Sequence, residues 1–360
     1  MDTTSVGVSF LVCTYNGASR IGETLRCLAR QAVGPEVQWE VVFVDNASTD
    51  GTAELARQAW EQLGAPAPLH MLQEPRPGKQ HALETALRHV QYRYTCIVDD
   101  DNRLAPDYLS VGLSILEQHP QVGILGGPST GTFEGPEPAW FPAFQHCYAV
   151  GPQLNRTDGG FMPLPDGSIG RNVLWGAGML VRTAVWTRLH EAGFKSLFTG
   201  RQGEKNLTAG EDDELCYAAQ LLGYEVWYSS RLQLLHHMAA GRLTEDYRNR
   251  LFYASARSTT RLNAYRNALW GKDGGAAVES NLLKDIGYNM VGVAKSVLSP
   301  AFIGAWFTGD YLRRMNQWHS LSVASDAILH FKQVKLYYQH VLRLKQQLAP
   351  HSTPDQPRHV

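Results

Sequence analysis

The 360-residue sequence carries no C-x-x-C pair; its five cysteines, Cys13, Cys27, Cys96, Cys147 and Cys216, are scattered. That pattern speaks against spaced-thiol zinc and redox motifs. Cys13, Cys96 and Cys216 sit among apolar neighbours and read as buried thiols of a reducing compartment. A net excess of either charge is also lacking. Thirty-three basic against 34 acidic residues leave a formal charge of −1, so nucleic acid is not expected as a partner. The opening "MDTTSVGVSFLVCTYNG" has no basic region followed by an apolar run and a cleavage site, so no secretory signal is expected and the cytoplasm is the default location. A Gly-rich phosphate loop is missing after the first apolar run, where "CTYNGASR" stands instead. This argues against a Mg²⁺ phosphohydrolase or nucleotidyltransferase of that design. There is no internal repeat.

What is present is an ordinary globular composition, 44% hydrophobic and 19% charged, on a chain long enough for one large domain plus an appendage. "VSFLVCTYN" (8–16), "EVVFVDNAS" (40–48), "LHMLQE" (69–74), "TCIVDDD" (95–101) and "VGILGG" (122–127) are strand-length and aliphatic. Helical patterns separate them. One is "TAELARQAWEQLG" (52–64), capped by Asp50 and ended by Gly64; in another, Ala82, Leu83, Ala86, Leu87 and Val90 recur at helical spacing. Strands alternating with helices predict an α/β fold, Rossmann-like, with a mostly parallel central sheet covered on both faces. Such sheets bind ligands beyond the carboxyl ends of their strands, where "CTYNG", "DNASTDG" and "DDDN" all fall.

Between Pro128 and Val173 regular patterning gives way to Gly, Pro and aromatics, the mark of functional loops. Order returns with "WGAGMLVR" (175–182), a helix from Ala184, and "GEDDELCYAAQLLGYEVWYSS", a helix closed by Gly223 and followed by a strand. Beyond residue 240 the chain reads as helical and basic. The expected organisation is a catalytic domain over 1–268, a helical extension over 269–348 and a disordered tail over 349–360. The apolar stretch 286–307 is interrupted by Lys295 and Pro300. It reads as an interfacial or packing helix rather than a membrane span.

Three carboxylates in a row, Asp99, Asp100 and Asp101, are either a solvated turn or a mount for a hard cation, which binds through one or two carboxylates plus phosphates. In an extended exit Asp99 and Asp101 point one way and Asp100 the other. Asp101 is then best placed for metal, and Asp99 for metal or ribose. Asp45, directly after Val41–Val44, can accept from a base or ribose. Lys79 opens a helix, where an anion would rationalise it. Glu211, Asp212, Asp213 and Glu214 exceed what capping a helix needs, and clustered carboxylates have raised pKa values suited to a general base. His236 or His237 could complete a metal shell.

Taken together, "VSFLVCTYNG", "VVFVDNASTDGT", "PGKQHALETAL", "IVDDDN", "GAGMLVR", "GEDDELCYAAQLLGYEVWY" and "LLHH", in this order over residues 6–240, resemble the family 2 glycosyltransferases of GT-A fold. The resemblance implies a metal-dependent inverting transfer of a hexosyl unit from a nucleoside-diphosphate sugar, a UDP-sugar by family frequency. The acceptor would be a hydroxyl of a glycan or lipid-linked molecule, as in cell-surface polysaccharide synthesis. By position, Thr14, Tyr15, Asn16 and Asp45 would line the nucleoside pocket, and Lys79, Asp99 and Asp100 would contact nucleotide. Asp101, with Asp99 and His236 or His237, would hold Mn²⁺ or Mg²⁺. Asp212 would be the base, flanked by Glu211 and rivalled by Asp213, and Trp175, Gly176, Ala177 and Gly178 would face the sugars. His81 and Glu84 stand where relatives often carry small residues and an Asn. The basic helical tail would contact the inner face of the cell membrane peripherally. The competing reading is a catalytically silent module of the same ancestry that binds nucleotide or recruits partners.

Overall fold

The computed structural model describes residues 5–157, 160–198, 209–272, 274, 276–297 and 311–348. The expected tail, and the part of the apolar stretch from residue 298 onward, lie outside them. An eight-stranded sheet forms the centre. Its first four strands are β1 (Gly7–Thr14), β2 (Gln38–Asp45), β3 (Leu69–Gln73) and β4 (Tyr94–Asp99). β6 (Val122–Gly126), β10 (Gly167–Ser168), β11 (Leu180–Arg182) and β12 (Glu225–Tyr228) complete it, after the short β5 (Asn102–Leu104). The order is β10-β12-β6-β11-β4-β1-β2-β3. β1 to β4 are parallel, as are β6 and β12, while β11 runs antiparallel to both β4 and β6. β5, β7 (Ser129–Phe133) and β13 (Leu234–Met238) make a three-stranded sheet in the order β5-β13-β7. A hairpin of β8 (Leu154–Thr157) and β9 (Gly160–Pro163) lies within the stretch that sequence patterning leaves irregular.

Both faces of the large sheet are covered, and the strands divide their side chains between two cores by simple alternation. Phe10, Val12, Val41 and Phe43 join the core formed with α1 (Ile21–Ala29), α2 (Thr52–Gln62) and α4 (Tyr108–Gln118). Leu11, Val42 and Val44 join the opposite core, with α3 (Lys79–Leu87), α6 (Thr183–Glu191) and α7 (Glu211–Leu221). In α1 the buried residues Ile21, Thr24, Leu25 and Leu28 follow the spacing of one helical face. α2 starts at Thr52 with Gly51, φ +81°, at its N-cap; Asp50, expected there, lies one position earlier, and its Oδ1 accepts the Thr52 N–H at 3.1 Å.

The C-terminal helices are α8 (Glu245–Trp270), α9 (Val278–Val297), α10 (Tyr311–Leu329) and α11 (Phe331–Leu348), α5 being a single turn at Phe141–Phe144. They are continuous with the rest. Leu262 and Tyr265 of α8 and Val334, Tyr338 and Val341 of α11 are buried in the same core as α7. Glu214 of α7 is fully buried there, accepting hydrogen bonds from Ser196 Oγ, the Leu197 N–H at 2.9 Å and Tyr265 Oη at 2.9 Å. Burial pushes its carboxyl up to about 7. It is thus a strut between α7 and α8, which accounts for one of the four carboxylates that exceed capping needs. Among the described residues no helix is long and apolar enough to cross a membrane.

Candidate active site

Three loops leave the carboxyl ends of β1, β2 and β4, and hydrogen bonds knit them together. The Asn46 N–H donates to Thr14 O at 2.9 Å, and its side-chain amide donates to Glu74 O and Arg76 O at 2.9 and 2.7 Å. Asn46 Oδ1 accepts the Gly78 N–H at 2.8 Å, so one asparagine holds the turn that delivers Lys79. The Asn16 N–H donates to Ser48 Oγ at 3.0 Å, and Asn16 Oδ1 accepts the Thr49 N–H at 2.8 Å. Asp45 is nearly buried and accepts the Ser48 N–H at 3.0 Å, while Tyr15 is about half exposed at 47%. Thr14, Tyr15, Asn16 and Asp45 therefore gather on one wall.

The triple aspartate divides three ways. The chain does not leave β4 extended; it turns at Asp100–Asp101 and comes back as β5. Asp99 Oδ1 lies 2.5 Å from Lys79 Nζ. Burial alone would lower the Lys79 ammonium, but Asp99, Asp212 and Glu211 outweigh it and hold the group above its usual value. Lys79 thus feels both the β4 exit and the α7 carboxylates. Asp100, expected among the nucleotide contacts, is turned inward instead. Its carboxylate accepts from Thr14 Oγ1 at 2.5 Å and from Arg20 Nε and Nη2 at 3.2 and 3.0 Å. Burial and the charge of Asp101 push its carboxyl up against that pull. The reason is steric as well as electrostatic. A Cβ on Gly17 would lie 2.3 Å from both Asp100 Oδ2 and Thr14 Oγ1, so the loop backbone seals this carboxylate in.

Asp101 is also mostly buried, but its ion-pair partners come from the second half of the chain. His236 Nε2 lies 3.3 Å from Oδ1 and Arg242 Nη1 2.7 Å from Oδ2. Burial would raise this carboxyl, yet His236, Arg242 and Arg20 hold it well below the carboxylate range. Of the two candidate histidines the structure brings only His236 here. Strand alternation sends the His237 ring to Thr132 Oγ1 at 3.3 Å, although the His237 N–H donates to Asp101 O at 2.9 Å.

The donor set suits a hard divalent ion in one respect. His236 Nδ1 lies 3.4 Å from Ala149 O; a proton held there would leave the Nε2 lone pair on the Asp101 side, the orientation of a metal-ligating imidazole. One carboxylate and one imidazole are a small set, which phosphate and water oxygens customarily complete. Among the described residues no group of three or more metal-capable side chains gathers.

Opposite stands α7. Gly210, with φ +114°, precedes Glu211. Asp212 Oδ2 accepts the Gly176 N–H at 2.8 Å. A Cβ on Gly176 would lie 2.2 Å from Asp212 Oδ1, so the close approach requires glycine. Gly178, φ +69°, gives its carbonyl to Tyr108 Oη at 2.7 Å. The Trp175 N–H donates to Gln153 Oε1 at 3.0 Å, and Ala177 is buried in the core. Asp213 is pushed up to about 7 by burial, with Arg266 pulling the other way and Asp212 adding to the rise.

Sequence reading missed Arg20 and Arg242. The available signal was charge itself, because three adjacent carboxylates on a buried strand exit need matching cations.

Residues 9–171 match the model of glycosyl transferase family 2. Poly(ribitol-phosphate) beta-N-acetylglucosaminyltransferase TarS of Staphylococcus aureus is 29% identical over 111 residues, 31% of this chain and 19% of that protein. The putative teichuronic acid biosynthesis glycosyltransferase TuaG of Bacillus subtilis is 29% identical over 109 residues, 30% of this chain and 41% of that protein. The chain therefore spans well under half the length of these curated relatives. Among solved structures, the mannosyltransferase PcManGT of Pyrobaculum calidifontis, in complex with GDP-Man and Mn²⁺, superposes with a TM-score of 0.56 at 18% identity. That superposition covers 91% of this chain and 87% of the other. With the motifs and the sheet order in hand, these likenesses show that residues 9–171 are similar to glycosyl transferase family 2 and that the chain carries a GT-A fold.

Proposed function

We infer that the chain transfers a sugar from a nucleoside-diphosphate donor to an acceptor hydroxyl by an inverting displacement. The observation that carries this is Lys79, whose charge is held by Asp99 on one side and by Asp212 and Glu211 on the other. The ion pair of Lys79 with Asp99, and the pull of Asp212 and Glu211 on the same ammonium, support a reading in which the donor-side carboxylates and the candidate base share one crevice. Thr14, Tyr15, Asn16 and Asp45 form the wall for the nucleoside, and Lys79 with Asp99 meets its diphosphate. Asp212, oriented by the Gly176 N–H, takes the proton of the acceptor hydroxyl as that oxygen attacks the anomeric carbon. Asp101 and His236 would hold Mn²⁺ or Mg²⁺, which would offset the charge of the departing diphosphate.

The donor nucleoside is uridine by family frequency, with guanosine, the nucleoside of the PcManGT ligand, and thymidine as the alternatives. The acceptor is a glycan or a lipid-linked hydroxyl; among the relatives, TarS is named for poly(ribitol-phosphate) and TuaG for teichuronic acid biosynthesis. Calorimetric titration of UDP, GDP and dTDP, each with and without Mn²⁺, tests the reading. Metal-dependent binding of one of them is expected. Absence of binding by all three, with metal or without, would favour the catalytically silent module.

A lipid-borne acceptor also accounts for α9, which exposes Leu283, Tyr288, Met290 and Val291 beside Lys284 and Lys295. Apolar residues rimmed by lysines suit an anionic bilayer surface. The full chain is expected to cosediment with phosphatidylserine-containing vesicles at low salt and to leave them at high salt. Failure to sediment at low salt removes the membrane contact.

A further inference from the structure

The three consecutive aspartates meet three cations from three separate parts of the chain. Lys79 stands on Asp99, Arg20 on Asp100 and Arg242 on Asp101. Lys79 and Arg20 are built in, the first at the start of α3 and the second at the sealed loop before α1. Arg242 differs. It closes a short 3₁₀ turn, Ala240–Arg242, that follows β13, and reaches a partner 141 positions earlier. Its guanidinium is mostly buried over the Tyr247 ring, 5.8 Å from the centroid, and places Nη1 on Asp101 Oδ2. Its Nε is buried without a hydrogen-bond partner among the described residues. A guanidinium offers a planar fork that matches two phosphate oxygens. Here a buried nitrogen of that fork is left unused.

The second observation concerns Asp101. It is the carboxylate toward which His236 Nε2 points, hence the one a divalent ion would need, and Arg242 already stands on its second oxygen. A divalent ion and a guanidinium on one carboxylate repel each other, and a nearby diphosphate offers the guanidinium a stronger partner. We propose that Arg242 keeps the place of the divalent ion on Asp101 until the donor arrives, and then turns its fork onto the donor diphosphate. The proposal rests on the reading of this crevice as a metal and nucleotide site. It makes Arg242 a competitor of the ion in the empty enzyme and its ally in the loaded one.

The two halves carry opposite signs, which a merely supporting arginine would not show. Mn²⁺ alone is titrated, by its free-ion paramagnetic resonance signal, into the wild-type chain, Arg242→Gln and Arg242→Lys; UDP and GDP are then titrated at saturating Mn²⁺. Arg242→Gln is expected to bind Mn²⁺ alone about 5- to 150-fold more tightly than wild type, the usual range of coupling between sites. It should bind the nucleoside diphosphate more weakly by a comparable factor, with Arg242→Lys between the two. Mn²⁺ affinity in Arg242→Gln that is equal to or below wild type, at an unchanged melting temperature, overturns the exchange and leaves Arg242 as a prop of Asp101. If Arg242→Gln fails to fold, Arg242→Lys decides, and weaker binding of both Mn²⁺ and nucleotide overturns the proposal. Absence of UDP, GDP and dTDP binding by wild type overturns the underlying reading as well. The nucleotide-free Mn²⁺ titration keeps the two failures apart.

Discussion

Asp212→Asn lowers turnover about 10²- to 10⁴-fold, the usual weight of general-base help, and leaves nucleotide binding intact. The substitution keeps the shape of the side chain, and an amide oxygen can still accept the Gly176 N–H that Asp212 Oδ2 now accepts at 2.8 Å. What is lost is the capacity to take a proton. Asp213→Asn serves as the contrast and is expected to cost far less. Burial pushes the Asp213 carboxyl up to about 7, and the Arg266 charge pulls against that rise. Steady-state rates for both variants, alongside nucleotide titrations, decide the matter. Wild-type turnover in Asp212→Asn with loss in Asp213→Asn would move the role to the neighbouring residue.

Asp100→Ala costs about 2–4 kcal/mol of stability, where breaking a buried ion pair costs about 3–5. The lower figure is appropriate because the Arg20 side chain is 25% exposed and recovers some hydration. The loss has identifiable parts. Arg20 forfeits both bonds to the carboxylate, Thr14 Oγ1 loses its acceptor, and the loop at Gly17 loses the group it closes over. Thermal unfolding should shift down by several degrees, in contrast to Asp99→Ala, whose carboxylate is more exposed and is ion-paired with Lys79. Nucleotide affinity should fall in Asp99→Ala at near-normal stability. An Asp100→Ala chain that melts like wild type but binds nucleotide poorly would return Asp100 to the binding set.

Much of this site could be read without coordinates because it depends on local chain geometry. The aliphatic runs at β1, β2 and β4 end where their polar residues begin, and parallel strands deliver those ends to one side. The glycine-rich approach to β11 and the acidic start of α7 are likewise local patterns. What could not be read depends on contacts distant in sequence. Helix phase places Asp212 and Asp213 about 100° apart, and partners distant in sequence distinguish them, the Gly176 N–H on Asp212 and the Arg266 charge near Asp213. His236 and His237 differ by one step of a strand whose facing direction is set by pairing with β5 and β7. The antiparallel course of β11 left no trace in a three-residue strand. Between residues 128 and 173 the organisation comes from aromatic packing of Phe141, Phe144 and Tyr148 against Tyr247 and Phe252 of α8, which no periodicity announces.

The pairings of the crevice also set when it can exist during folding. Gly176 and Asp212 are 36 positions apart, Thr14 and Asp100 86, and Asp101 and Arg242 141. Each longer span adds to the chain entropy lost on closure, and contacts of high sequence separation form slowly. A nascent chain that has made only β1 to β4 already holds all three aspartates together with Lys79 and Arg20, yet Asp101 lacks both His236 and Arg242. Its negative charge is then offset only by the more distant Arg20 until β13 and the turn after it dock. The N-terminal half accordingly emerges with an electrostatic defect that only the arrival of the second half repairs, so completion of the site and completion of the fold are one event.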